Sequence, residues 1–138
     1  MGRVISTEAP GKVRNQHRRT IAEALRCLSQ KPNVDDEARD IAALIVFALH
    51  GIADTIDQTT AAWEKRDYYL KADRFRQEWQ WVEPIADELS AVIYEGRWDQ
   101  LPAALARLIP HFTDIKVKQV TRNPSMWRGT YERFMRED

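Results

Sequence analysis

Three residues in the first half of this chain have the types and spacing to hold a metal ion: His50, Asp54 and Asp57. Steps of four and seven place them on one face of a helix, and an imidazole with two carboxylates suits a divalent cation. Di-iron bundles, however, draw a Glu-x-x-His pair from each of two helices. This sequence contains no Glu-x-x-His, and its histidines are His17, His50 and His111 alone. The plainer reading is a local His–Asp pair on an interhelical face, and no cofactor is expected.

The second constellation is WEKRDYYLKADRFRQEWQW, residues 63–81, which mixes charges with six aromatic rings. One reading is a bundle helix whose charged side is laced by i,i+4 pairs, Asp67–Lys71 and Arg74–Glu78. The other is a recognition surface, because Arg, Tyr and Trp dominate binding hot spots. The candidate set for a partner or ligand is then Arg66, Tyr69, Arg74, Arg76 and Glu78, with guanidinium groups stacking on or clamping a flat or anionic group. Helix geometry puts Arg74 and Arg76 about 100° to either side of Phe75, on the borders of the buried face. At least one arginine of the tract is therefore expected to pair with a carboxylate of the preceding helix (Asp54, Asp57 or Glu64) or with a second chain.

A third group, Lys12, Arg14, His17, Arg18 and Arg19, lies near the start of the chain. Arg14 and Arg18 share a helix side, and with Arg3 they make a positive strip of the kind that follows a phosphate backbone. Lys12, Arg14, Arg18 and Arg19 are the nucleic-acid candidates; solvated charge is the plainer reading. No helix-turn-helix spacing, zinc finger or RNA-binding aromatic motif accompanies them, and Pro10-Gly11-Lys12 lacks the glycine spacing and Ser/Thr of a P-loop. For catalysis, no serine sits in a strand–turn–helix elbow, and no carboxylate pair stands out as acid and base. Cys27, the single cysteine, excludes an internal disulfide and any multi-cysteine metal site, and reads as a structural thiol.

The net charge of zero is built from opposing blocks: residues 1–31 carry +5, residues 32–64 carry −6, residues 84–114 carry −3 and residues 115–138 carry +3. Such blocks attract one another, within one chain or between two, or leave basic ends for an anionic partner.

The elements that must position these groups are helices. After an extended arm over 1–9, Pro10 opens a helix whose stripe is Val13, His17, Ile21, Ala24, Leu25 and Leu28, ending before Lys31-Pro32. Asp35-Asp36-Glu37 place negative charge at the start of a second helix, with its stripe at Ala38, Ile41, Ala42, Ile45, Leu49, Ile52, Ile56 and Trp63. IAALIVFAL, residues 41–49, is apolar all round, so this turn lies at a bundle centre or its second face meets another chain. Gly51 lets a neighbouring helix approach closely. Tyr68, Ala72, Phe75, Trp79, Val82, Ala86, Leu89 and Ile93 then mark one helix over 68–95, kinked at Pro84 and stopped by Gly96. Asp99 is expected to cap a short helix ending at Pro110, residues 115–120 read as extended without a partner strand, and Asn123-Pro124 opens a last helix carrying Trp127, Tyr131 and Phe134.

With 138 residues and 43% apolar content, one folded domain over 10–138 is expected. Its class is all-α, an up-and-down bundle of two long and about three shorter helices. Rods of about 42 Å often pair across a two-fold axis, so a homodimer is expected. No apolar run is long enough to span a membrane. The start lacks the apolar core of a signal peptide, although Gly2 and Ser6 fit the short myristoylation pattern. A lone thiol suits a cytoplasmic setting. The first functional reading is a non-enzymatic interaction module that dimerises and binds a protein partner. The alternatives are a nucleic-acid-binding protein using its basic ends and a small-ligand or metal-binding bundle.

Overall fold

The computed structural model describes residues 8–137; the myristoylation pattern at Gly2 and Ser6, Arg3 and most of the expected arm lie outside them. Among the described residues the regular elements are all helical. They are α1 (Pro10–Ser29), α2 (Asp36–Glu64), α3 (Tyr69–Glu78), α4 (Val82–Glu95), α5 (Leu101–Leu108) and α6 (Thr130–Arg136). Short 3-10 turns lie at Trp98–Gln100, Ile109–Phe112 and Pro124–Met126. None of these helices is long and apolar enough to cross a membrane.

The assembly is an all-α bundle organised around α2, which packs against α1, α3, α4 and α6. Asp35 caps α2 by accepting the Ala38 N–H at 2.8 Å, satisfying a donor the helix leaves orphaned. Lys31 bridges Asp35 at 3.0 Å and Glu37 at 2.7 Å and so closes the turn between α1 and α2. The all-round apolar stretch is enclosed within the chain. Ala43 and Val46 are fully buried, and Phe47 meets Phe134 of α6 edge-on at 5.9 Å. The second face of α2 therefore needs no other chain to cover it.

The stretch from 69 to 95 bends earlier than Pro84. The ladder breaks at 79–81, where Gln80 donates to Gln77 and Val82 to Trp79 in tightened i,i+3 bonds. Proline lacks an N–H and its ring clashes with the carbonyl four residues back, a conflict that disappears in the first turn of a helix. α4 restarts at Val82, which puts Pro84 in that first turn. Tyr68, expected on the core stripe, is exposed instead, because α3 begins only after it.

Three smaller expectations also shift. Asp99 makes no capping bond; it lies inside the 3-10 turn, and Pro102 occupies the first turn of α5. α5 ends at Leu108, two residues before Pro110, which lies inside the 3-10 turn that follows. Asn123 caps only a short 3-10 turn, accepting from Ser125 at 2.9 Å. Gly129, with φ of 81°, then resets the chain for α6.

Residues 115–120, expected to be extended, form an irregular, bent stretch with no strand to pair with among the described residues, so its polar backbone must find other partners. α1 supplies them. Arg19 donates to the carbonyls of Lys116 and Gln119, and Arg26 to that of Val117. Glu23, fully buried, accepts the backbone N–H groups of Thr121 at 2.5 Å and Arg122 at 2.9 Å.

Gly51 is the contact point of α1 and α2. A Cβ there would lie 2.3 Å from His17 Nε2 and 2.7 Å from two ring carbons, so the imidazole rests on the glycine backbone. Gly51→Ala is expected to destabilise the protein by about 1 kcal/mol, because displacing the ring outweighs the helix preference for alanine. In a His17→Ala background the same change is expected to stabilise by about 1 kcal/mol. Urea unfolding of the four variants measures this change of sign.

Candidate functional site

The surface that stands out chemically is the corner between α2 and α3. α2 ends in a Schellman motif: Tyr68 N–H donates to Trp63 at 2.9 Å and Asp67 N–H to Glu64 at 3.0 Å. This motif needs a left-handed residue, usually glycine. α4 ends the same way with Gly96 at φ 65°, whereas α2 uses Asp67 at φ 64°. Among the described residues Asp67 is the one non-glycine in that region, which for an L-residue carries a steric cost. Its carboxylate accepts from Tyr69 Oη at 3.3 Å.

The reversal leaves a hollow of about 800 Å³ walled by Trp63, Tyr68, Tyr69, Leu70 and Phe75, with Asp67, Lys71, Arg74 and Glu78 among its lining. Trp63 and Phe75 meet edge-on at 5.1 Å, and Lys71 Nζ lies 4.4 Å above the Trp63 ring. Tyr68, Tyr69 and Leu70 are 50%, 56% and 63% exposed. They are half of the six large apolar side chains exposed among the described residues, which makes this run a concentrated patch and not scattered surface.

The sequence-derived set is divided by this geometry. Tyr69, Arg74 and Glu78 line the hollow; Arg66 stands on the adjoining turn and outside the lining. Arg76 points the other way, pairing with Glu64 of α2 at 2.7 Å and with Asp73 at 3.1 Å, which is the arginine–carboxylate link that the border position predicts. The i,i+4 pairs Asp67–Lys71 and Arg74–Glu78 do not form, since Asp67 lies before α3 begins and Lys71 lies over Trp63. Trp63, Tyr68, Leu70 and Lys71 also line the hollow, although spacing put Trp63 and Tyr68 on core stripes and Lys71 in a helix-surface pair, and gave Leu70 no role.

No protein-family model, curated protein or solved structure matches this chain.

The basic strip is turned inward. Arg14 donates to Thr55 Oγ1 at 3.1 Å and Thr59 Oγ1 at 2.9 Å. Arg18 pairs with Asp114 at 2.7 Å, and Arg19 with Glu23 at 2.7 Å. Of the four nucleic-acid candidates only Lys12 is exposed, because the arginines serve loops and helices of the same chain. The metal candidates are likewise separated. His50 and Asp54 line one groove with Tyr94 and Arg133, while Asp57 lines another with Arg76 and Trp79. Among the described residues no three His, Cys, Asp or Glu side chains come together as a metal site. Cys27 has its thiol pKa raised by burial and by Glu37 and Glu23, so it stays protonated at neutral pH.

A second hollow, of about 500 Å³, lies between α1 and α5 and is walled by Leu25, Leu28, Val34, Leu101, Leu105 and Ile109. Its one charged lining residue, Lys31, is held by Asp35 and Glu37, so it offers no free charge to orient a ligand.

Proposed function

We propose that this protein is a non-enzymatic helical interaction module that binds a protein partner through the α2–α3 corner. The observation that carries this reading is the run Tyr68-Tyr69-Leu70, exposed beside an aromatic hollow with Arg74 at its edge. Aromatic and arginine side chains around a concavity are the composition of interface hot spots. A different chain is favoured over a second copy, because the all-round apolar face of α2, which suggested self-association, is covered by α6. A cytoplasmic setting suits its single thiol.

The reading is tested by panning a random peptide library displayed on phage against the immobilised protein, with a Tyr69→Ser/Leu70→Ser variant as the counter-selection. Both side chains are exposed, so the variant is expected to keep its stability within about 0.5 kcal/mol. Enrichment of peptides that bind the parent and lose the variant is expected. No enrichment, or peptides indifferent to the variant, would overturn it.

A further inference from the structure

We infer that the segment this corner accepts is acidic and carries an apolar or aromatic anchor side chain, an inference that rests on reading the corner as a docking site. The argument is charge complementarity beside an apolar hollow. Of the five cations in 65–78, Arg76 alone is paired with carboxylates. Lys65, Arg66, Lys71 and Arg74 are exposed, and among the described residues none has a carboxylate partner. Of the nearby acids, Glu64 and Asp73 hold Arg76, whereas Asp67 accepts only the neutral Tyr69 hydroxyl and keeps its charge. Glu78 lies in the field of Arg14, which it acts on electrostatically.

The charged lining of the hollow is balanced, Lys71 and Arg74 against Asp67 and Glu78, and the exposed Lys65 and Arg66 on the adjoining turn give the corner its positive excess. The anchor of an incoming chain fills the hollow between Trp63, Tyr69 and Phe75, where a large ring removes the most apolar surface from water. Its carboxylates take Arg74, whose planar fork suits bidentate pairing, and draw Lys71 off the Trp63 face. A nucleic acid fits less well. The arginines of α1 that would extend the positive track are committed inside the fold. Asp67 and Glu78, which line the hollow, also oppose a phosphate run, whereas a peptide can place its acids away from them.

Fluorescence anisotropy decides this with synthetic peptides of about twelve residues that share Trp and Leu anchors but carry Glu, Gln or Lys between them. A labelled oligo-dT strand is added as a fourth probe. The Glu peptide is expected to bind at least about tenfold tighter than the Gln peptide, equivalent to about 1.4 kcal/mol. That advantage should shrink with added salt and vanish in a Lys71→Glu/Arg74→Glu variant whose melting temperature is unchanged. Equal or tighter binding of the Gln or Lys peptide overturns the acidic partner and leaves the docking site standing. Tighter binding of oligo-dT overturns it in favour of nucleic acid. Binding of none of the four overturns both the partner chemistry and the docking site.

Discussion

Glu23→Ala is expected to destabilise the protein by about 3–5 kcal/mol, measured by urea unfolding at neutral pH. The magnitude follows from what the carboxylate holds. Its side chain is fully buried. One oxygen accepts two backbone N–H groups, from Thr121 and Arg122; the other accepts Arg19 Nε at 2.7 Å and Thr121 Oγ1 at 2.6 Å. Removing it leaves several donors and a guanidinium without their acceptor, and breaking a buried ion pair from one side costs more than the pair contributes. The same contacts explain its acidity. Burial pushes the carboxyl upward, but the hydrogen bonds from Thr121, Arg19 and Arg122 outweigh it and bring the pKa down to about 2 from 4.5.

A carboxyl with a depressed folded pKa stabilises above its unfolded pKa and loses that contribution as pH falls through the folded one. Glu23 therefore contributes about 3 kcal/mol at neutral pH, lost between about pH 4.5 and 2. His17 and His111 are also depressed, each chiefly by burial, with Asp54 partly opposing at His17. Their contribution begins to fade earlier, below about pH 6.5. The acid-unfolding profile should show both declines. Glu23→Gln should retain the earlier one and lose most of the later one, leaving the smaller share of Asp35, Glu37 and Asp114, which are also lowered. An unchanged later decline in Glu23→Gln would show that Glu23 does not carry it.

What the sequence made legible was local. Ile41, Ile45, Leu49 and Ile52 repeat at helical spacing, and Asp35 sits where a cap belongs; both features concern residues a few positions apart. Glu23 gave no such signal. It is one acid in a basic segment, and its partners lie near residue 121, on backbone groups that any residue type provides. For the same reason the arginines of α1 looked like a solvated or nucleic-acid-binding face: apart from the Arg19–Glu23 pair, their acceptors, the Thr55 and Thr59 hydroxyls, the Asp114 carboxylate and the carbonyls of residues 116, 117 and 119, lie far along the chain. The hollow was hidden by Asp67, because a helix end that reverses without glycine leaves no turn signature. Tyr68 then joined an apolar stripe to which it does not belong.

Arg14 is the second residue whose loss should be large, and it connects stability to the proposed docking surface. Its guanidinium lies 4.9 Å from the centre of the Phe75 ring and 5.6 Å from that of Trp79, while it donates to Thr55 and Thr59 of α2. Burial lowers its pKa, partly opposed by Glu78, and the charge is held by ring faces and hydroxyls. α3 depends on this because only Ala72 among its side chains is fully buried. Arg14→Ala is expected to cost about 2–3 kcal/mol, and Arg14→Lys about 2 kcal/mol, because a single ammonium cannot reproduce the planar stack and fork. The loss should be uneven. Elements with few buried contacts open first, so amide hydrogen exchange in Arg14→Ala should accelerate in α3 well beyond the change in α2 and α4. The hollow is built on α3, so the same variant should weaken the acidic peptide although Arg14 does not line the hollow. Uniform acceleration across all helices would mean that Arg14 supports the bundle as a whole and not the α3 corner in particular.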